Sequence, residues 1–147
     1  MNKTLILLLL CALSNITSAS IADELVGDWE YYNSGIGRTY SSLKVSSDYI
    51  GAFTWKQDMF NESFTFNKEN ITFAQTHILI ELIPRKDYEY HPVKWALLLS
   101  KASVGAHWNA LLISRPENME HKGSIPFVLE KVDVPFVEWV RNKNANK

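Results

Sequence analysis

Tyr49-Ile50-Gly51-Ala52-Phe53-Thr54-Trp55 is the stretch on which the fold turns. Tyr49, Gly51, Phe53 and Trp55 fall on one side of an extended chain, and Ile50, Ala52 and Thr54 on the other. That period of two marks a half-buried strand. The alternation recurs outward from this stretch. Phe64 and Phe66 repeat it, as do Ile78, Ile80 and Leu82 against His77, Leu79, Glu81 and Ile83. Val93, Trp95, Leu97 and Leu99 alternate with Lys94, Ala96, Leu98 and Ser100. Trp108, Ala110 and Leu112, then Phe127 and Leu129, complete the series. Val26 to Tyr32 and Thr39 to Ser46 are strand-like through their Trp, Tyr and Val content. Ile71 to Phe73 either opens the fifth strand or stands alone as a short one.

Turn-forming clusters separate these runs at short spacing, among them Asn33-Ser34-Gly35-Ile36-Gly37, Ser47-Asp48, Asn67 to Asn70 and Pro84 to Pro92. Short connections between neighbours favour antiparallel pairing over crossover units. The expectation is an all-β domain: an eight- to nine-stranded antiparallel meander barrel, with a sandwich as the competing architecture. The runs Ala96 to Leu99 and Ala110 to Ile113 are apolar on both faces and therefore need cover on the outside. A short C-terminal helix is expected to supply it. Asp133 would cap that helix, Pro135 would sit in its first turn, Phe136, Trp139 and Val140 would share a flank, and Arg141 and Lys143 would lie near its end. An extended segment through Val134-Pro135-Phe136-Val137 is the alternative.

The chain starts Met1-Asn2-Lys3, continues with the apolar run Thr4 to Leu13, and presents small residues at Thr17 and Ala19. This pattern predicts a secretory signal peptide over 1–19 and a single domain over 20–147, with cleavage after Ala22 as the alternative. The apolar run is too short to span a bilayer, and no transmembrane helix is expected in the mature chain. Removing 1–19 takes away Lys3 and the single Cys, leaving 128 residues with 14 basic against 16 acidic side chains. Such a domain enters an oxidising compartment, periplasmic or extracellular, with no disulfide and must be held by its core. The near-neutral charge excludes a nucleic-acid binder held by a basic stripe.

Leu25-Val26-Gly27-Asp28-Trp29-Glu30 resembles the Gly-x-Trp opening of lipocalin-like (calycin) barrels. The resemblance implies a turn of helix at Ile21 to Leu25, a close backbone approach at Gly27, and Trp29 closing one end of the barrel. A basic residue from a late strand, Lys131 or Arg115, would pack over that Trp. Phe127 to Val132 is similar to the closing strand of such barrels. Ser34-Gly35 followed by Tyr40 resembles the Ser-Gly-x-x-Tyr loop of periplasmic lysozyme inhibitors, which enters the lysozyme cleft. Here four residues, not two, separate Gly35 from Tyr40.

No catalytic motif is present: there is no Gly-x-Ser-x-Gly, no His-Glu-x-x-His and no phosphate-cradling glycine loop. Asp87, Glu89 and His91 would point the same way in a strand, but their run between two prolines reads as a solvated hairpin tip. No metal, cofactor or enzymatic activity is expected. What remains is a secreted binding protein. Its partner is expected to be a protein, in the manner of an inhibitor or immunity protein against a periplasmic hydrolase or toxin. Arg38, Tyr40, Arg85, Tyr88, Tyr90 and His91 are the loop residues suited to contact it. The alternative is a carrier of a small apolar ligand in the barrel lumen, lined by Trp55, Phe66, Trp95 and Trp108.

Overall fold

The computed structural model describes residues 21–35, 38–58, 60–85, 93–102, 107–116 and 123–133. The signal peptide, the C-terminal helix and the Asp87 to His91 run predicted from the sequence lie outside these residues. The order is a short helix α1 (Ile21–Leu25), then β1 (Gly27–Asn33), β2 (Thr39–Val45), β3 (Gly51–Gln57), β4 (Phe60–Phe66), β5 (Ile71–Phe73), β6 (His77–Pro84), β7 (Val93–Lys101), β8 (His107–Pro116) and β9 (Gly123–Lys131). Every pairing is antiparallel. Sequence neighbours pair from β1 to β4 and from β5 to β9; β1–β9 and β4–β6 contacts close the ring. The protein is an all-β antiparallel barrel of eight staves with one extra short strand.

The extra strand lies on the same edge of β6 as β4. Phe64 faces Pro84 and Ile71 faces Ile80, so seven steps along one side match four along the other. The three surplus residues are taken up by the 3-10 turn Lys68–Asn70. Asn67 caps that turn by accepting from the Glu69 N–H at 2.9 Å, while Asn70 accepts from the Asn67 N–H at 3.0 Å. β4 and β5 thus form one interrupted stave. The separate short strand at Ile71 to Phe73 is explained by this turn. Tyr49 falls before β3, in a left-handed turn with φ 59°, although its ring still packs on Phe73 at 5.5 Å.

One end of the barrel is sealed. Trp29 is 3% exposed, donates its indole N–H to the Leu25 carbonyl at 2.9 Å, and meets the Trp108 ring edge-on at 6.0 Å. The Lys131 ammonium lies 5.4 Å from the Trp29 ring centre, so Lys131 and not Arg115 is the late-strand cation over that ring. Gly27 has φ +133°, and a Cβ there would come within 3.1 Å of the Lys131 side chain. The glycine therefore serves both an unusual backbone angle and the lysine's path.

Above this plug the interior is solid. Phe53 and Phe64 stack at 6.1 Å, Phe127 meets Phe53 at 6.2 Å and Trp55 at 5.0 Å, and Leu43, Leu97, Leu112 and Leu129 are buried around them. Trp29→Ala is expected to cost about 3–5 kcal/mol, the range for truncating a buried aromatic. Urea unfolding followed by circular dichroism measures it.

Candidate functional site

β1, β3, β6 and β8 end, and β2, β4, β7 and β9 begin, at the end opposite the Trp29 plug. This end is the mouth. β1 and β2 stand across the ring from β6 and β7. The described residues at the ends of the two expected partner segments, Arg38 before β2 and Arg85 after β6, therefore share one end of the barrel. Arg38 is exposed just before β2, and Arg85 is exposed just after β6, where its backbone N–H donates to the Ser63 carbonyl at 3.0 Å. Tyr88, Tyr90 and His91 lie outside the described residues.

Tyr40 has a different setting from Arg38. It points outward from the wall of β2, half-buried, and its hydroxyl donates to Glu30 Oε1 at 2.7 Å. Burial raises its pKa well above the ordinary tyrosine value of 10.0, and the Glu30 carboxylate, as hydrogen-bond acceptor and as charge, raises it further. Tyr40 thus braces β2 against β1, and the exposed side chains of that hairpin among the described residues include Arg38 and Tyr32, which stands across from Tyr40.

The four side chains expected around a lumen are divided by the fold. Phe66 and Trp108 lie at the plugged end, Phe66 opposite Gly51 on β3 and Trp108 against Trp29. Trp55 and Trp95 lie at the mouth. They line a cleft of about 220 Å³ together with Gln57, Leu112, Ser114, Gly123 and Ile125. Gln57, Ser114, Gly123 and Ile125 were not singled out from the sequence. Their signal is present in it, because each occupies an inner-face position near the mouth end of its strand, and three of them interrupt an otherwise apolar face with polar or minimal side chains.

The ring also closes unevenly. β1 pairs with β9 only at Trp29–Lys131 and Glu30–Glu130, near the plug. From there to the mouth the two strands carry no ladder. Pro126, which has no N–H to donate, stands in this part of β9, where one side of the strand is unpaired. Ser41, directly across from Trp55 on β2, is fully buried, and both its hydroxyl and the Trp55 indole N–H lack a hydrogen-bond partner among the described residues.

A larger cleft of about 550 Å³ lies along the β6–β8 wall, where Leu79, Glu81, Ile83, Lys94, Ile113 and Arg115 contribute. The outward-facing Ala96, Leu98, Leu111 and Ile113 are half-buried. This wall is the one whose two-sided apolar strands called for cover from the tail. Among the described residues, no three His, Cys, Asp or Glu side chains come together as a metal site, and no helix is long and apolar enough to cross a membrane.

Comparison with protein-family models, with curated proteins and with solved structures finds no match to the chain. α1, Gly27, Trp29 and a late-strand cation, Lys131, stand in the arrangement expected from the Gly-x-Trp pattern.

Tyr40 generates a pH dependence with a definite sign. Its pKa is raised in the folded state, so its contribution is complete below the free value of 10.0 and is lost as pH climbs above it. Tyr40→Phe is expected to cost about 1 kcal/mol at pH 7, the worth of one hydrogen bond. It should also flatten the loss of stability between pH 10 and about 11.5. Denaturant midpoints of both proteins across that range check this.

Proposed function

We propose that the chain is an exported, non-enzymatic binding protein that acts on a protein partner through the mouth end of its barrel, as an inhibitor or immunity protein against a periplasmic hydrolase or toxin. The observation that carries this reading is the pairing of an aromatic-filled interior with exposed arginines at the mouth, Arg38 and Arg85 across the ring from each other and Arg115 on β8. Such arginines suit a partner with an acidic cleft, and hydrolases that cut with paired carboxylates present one. Arginine is also the cation best fitted to grip a carboxylate with two bonds.

Loops on a rigid barrel are a common way to present such contacts. Cargo inside the barrel would have to displace Phe53, Phe64 and Phe127, which supports the protein-partner reading over the alternative of a lumen carrier. Export rests on the leader pattern of 1–19. Ile21 packs against the core from α1, which favours cleavage after Ala19 over cleavage after Ala22.

N-terminal sequencing of the exported protein is expected to start at Ser20; an intact Met1 recovered from the membrane fraction would defeat the export reading. Titration against a panel of purified lysozymes and other peptidoglycan hydrolases should find an inhibited enzyme. Arg38→Ala/Arg85→Ala is expected to weaken that inhibition at least tenfold, with the wild-type affinity falling as salt rises. Inhibition that survives the double substitution unchanged would place the contact elsewhere.

A further inference from the structure

We propose that β9 presents its free edge, Ser124 to Val128, to an extended segment of another protein, which adds to the sheet as an antiparallel strand and begins with a lysine or arginine beside Glu130. This surface is a second one, independent of Arg38 and Arg85 on the rim.

Three observations converge. The first is the state of the main chain. The β1–β9 ladder ends at Glu30–Glu130, and beyond it β9 has no ladder on this side among the described residues. In the same register Asn33, the last residue of β1, is level with Phe127, so Gly123 to Pro126 overhang the end of β1. The Val132 N–H donates to the Asp28 carbonyl at 2.9 Å, and β8 pairs with β9 without a bulge. Alternation then turns the N–H and C=O of every even-numbered residue of β9 towards the free side. Ser124 and Val128 each present a donor and an acceptor there. Pro126 lacks the donor, which partly guards the edge, but keeps its carbonyl.

The second is apolar exposure. Gly123 to Pro126 are all exposed. Of the five large apolar side chains exposed among the described residues, Tyr32, Ile125 and Val128 lie along this seam. Ile125 is on the inner side of β9, whereas Val128 and Tyr32 are on the outer side. A strand laid against β9 therefore finds apolar contact on both of its faces, the setting in which extended peptides are taken up by strand addition.

The third is charge. Glu30 and Glu130 face each other across the last rung, on the outer side. Tyr40 donates to one Glu30 oxygen, and Glu130 is exposed. Like charges directly opposite each other are destabilising, and a neighbouring cation relieves them. A strand antiparallel to β9 runs in the direction of β1, so its first residue lies across from Val128 and diagonal to Glu130 on the same face. A long basic side chain reaches the two carboxylates from there. The second and fourth residues, across from Phe127 and Ile125, turn inward and are apolar.

The test uses the blocked peptide acetyl-Lys-Val-Thr-Val-Thr-amide, titrated into the full mature chain and followed in ¹H–¹⁵N spectra. The Ser124 and Val128 amide protons are expected to move downfield. An N-methyl group on the third peptide residue, whose N–H faces Pro126, should weaken binding about tenfold or more. The same group on the fourth residue, whose N–H points away from β9, should weaken it by less than about twofold. Exchanging the peptide's lysine for glutamate should weaken binding at least about threefold, and Glu130→Gln should at least halve that preference. Ser124→Pro removes an edge donor without touching the β8–β9 ladder, and should weaken the peptide about threefold or more with the thermal midpoint unchanged. Equal effects of the two N-methyl groups, a lysine preference untouched by Glu130→Gln, or Ser124 and Val128 signals unmoved at the peptide's solubility limit would each overturn the assignment. So would signals that move with protein concentration alone, because these would give the edge to a second copy of the chain.

Discussion

Trp29 is the side chain on which the barrel depends. One ring joins four elements: its N–H holds the last turn of α1, its edge meets Trp108 on β8, its face lies under Lys131 on β9, and its backbone belongs to β1. The β1–β9 ladder is confined to its neighbourhood. Closing a sheet removes the exposed edges that would otherwise invite aggregation. In this protein that closure is concentrated where the tryptophan and the lysine can hold it, and Gly27 makes room for the lysine.

The unevenness of closure gives the two ends different characters. At the plug, strands are paired and aromatic rings interlock. At the mouth, β1 and β9 carry no ladder, β9 contains Pro126, and the inner face ends in Gln57, Ser114 and Gly123. Rigidity below and room above is an arrangement suited to recognition, because the supporting packing limits the entropy lost when a partner binds. The arginines of the described residues, Arg38, Arg85 and Arg115, are all gathered at the mouth.

Several details of this plan were legible before the fold was known. The inner faces of β3, β6, β7 and β8 follow directly from alternation, because a pleated strand sends every second side chain to the same side. The helix at Ile21–Leu25 and the plug at Trp29 followed from the Gly-x-Trp pattern. The choice between Lys131 and Arg115 did not follow, since both are late-strand cations and only the register of β9 against β1 puts Lys131 opposite Trp29. Tyr40 read as a projecting interface residue, but its parity on β2 and the reach of Glu30 make it a wall brace. Trp55, Phe66, Trp95 and Trp108 were indistinguishable as aromatic inner-face residues, because alternation says which side a residue faces and nothing about its height along the barrel axis.

The sequence by itself determined the class of fold, the strand order along the chain and the residues that turn inward, because these depend on local periodicity and on turns. Tertiary structure alone decided which strands closed the ring, where that closure is incomplete, and which inward residues meet at an open end. It also left Trp55 buried with an unmet donor and Arg38 and Arg85 on opposite sides of one mouth. The physical reason is register. A shift of two residues between β1 and β9 would preserve every inward and outward assignment yet move the cation over Trp29 and the extent of the opening.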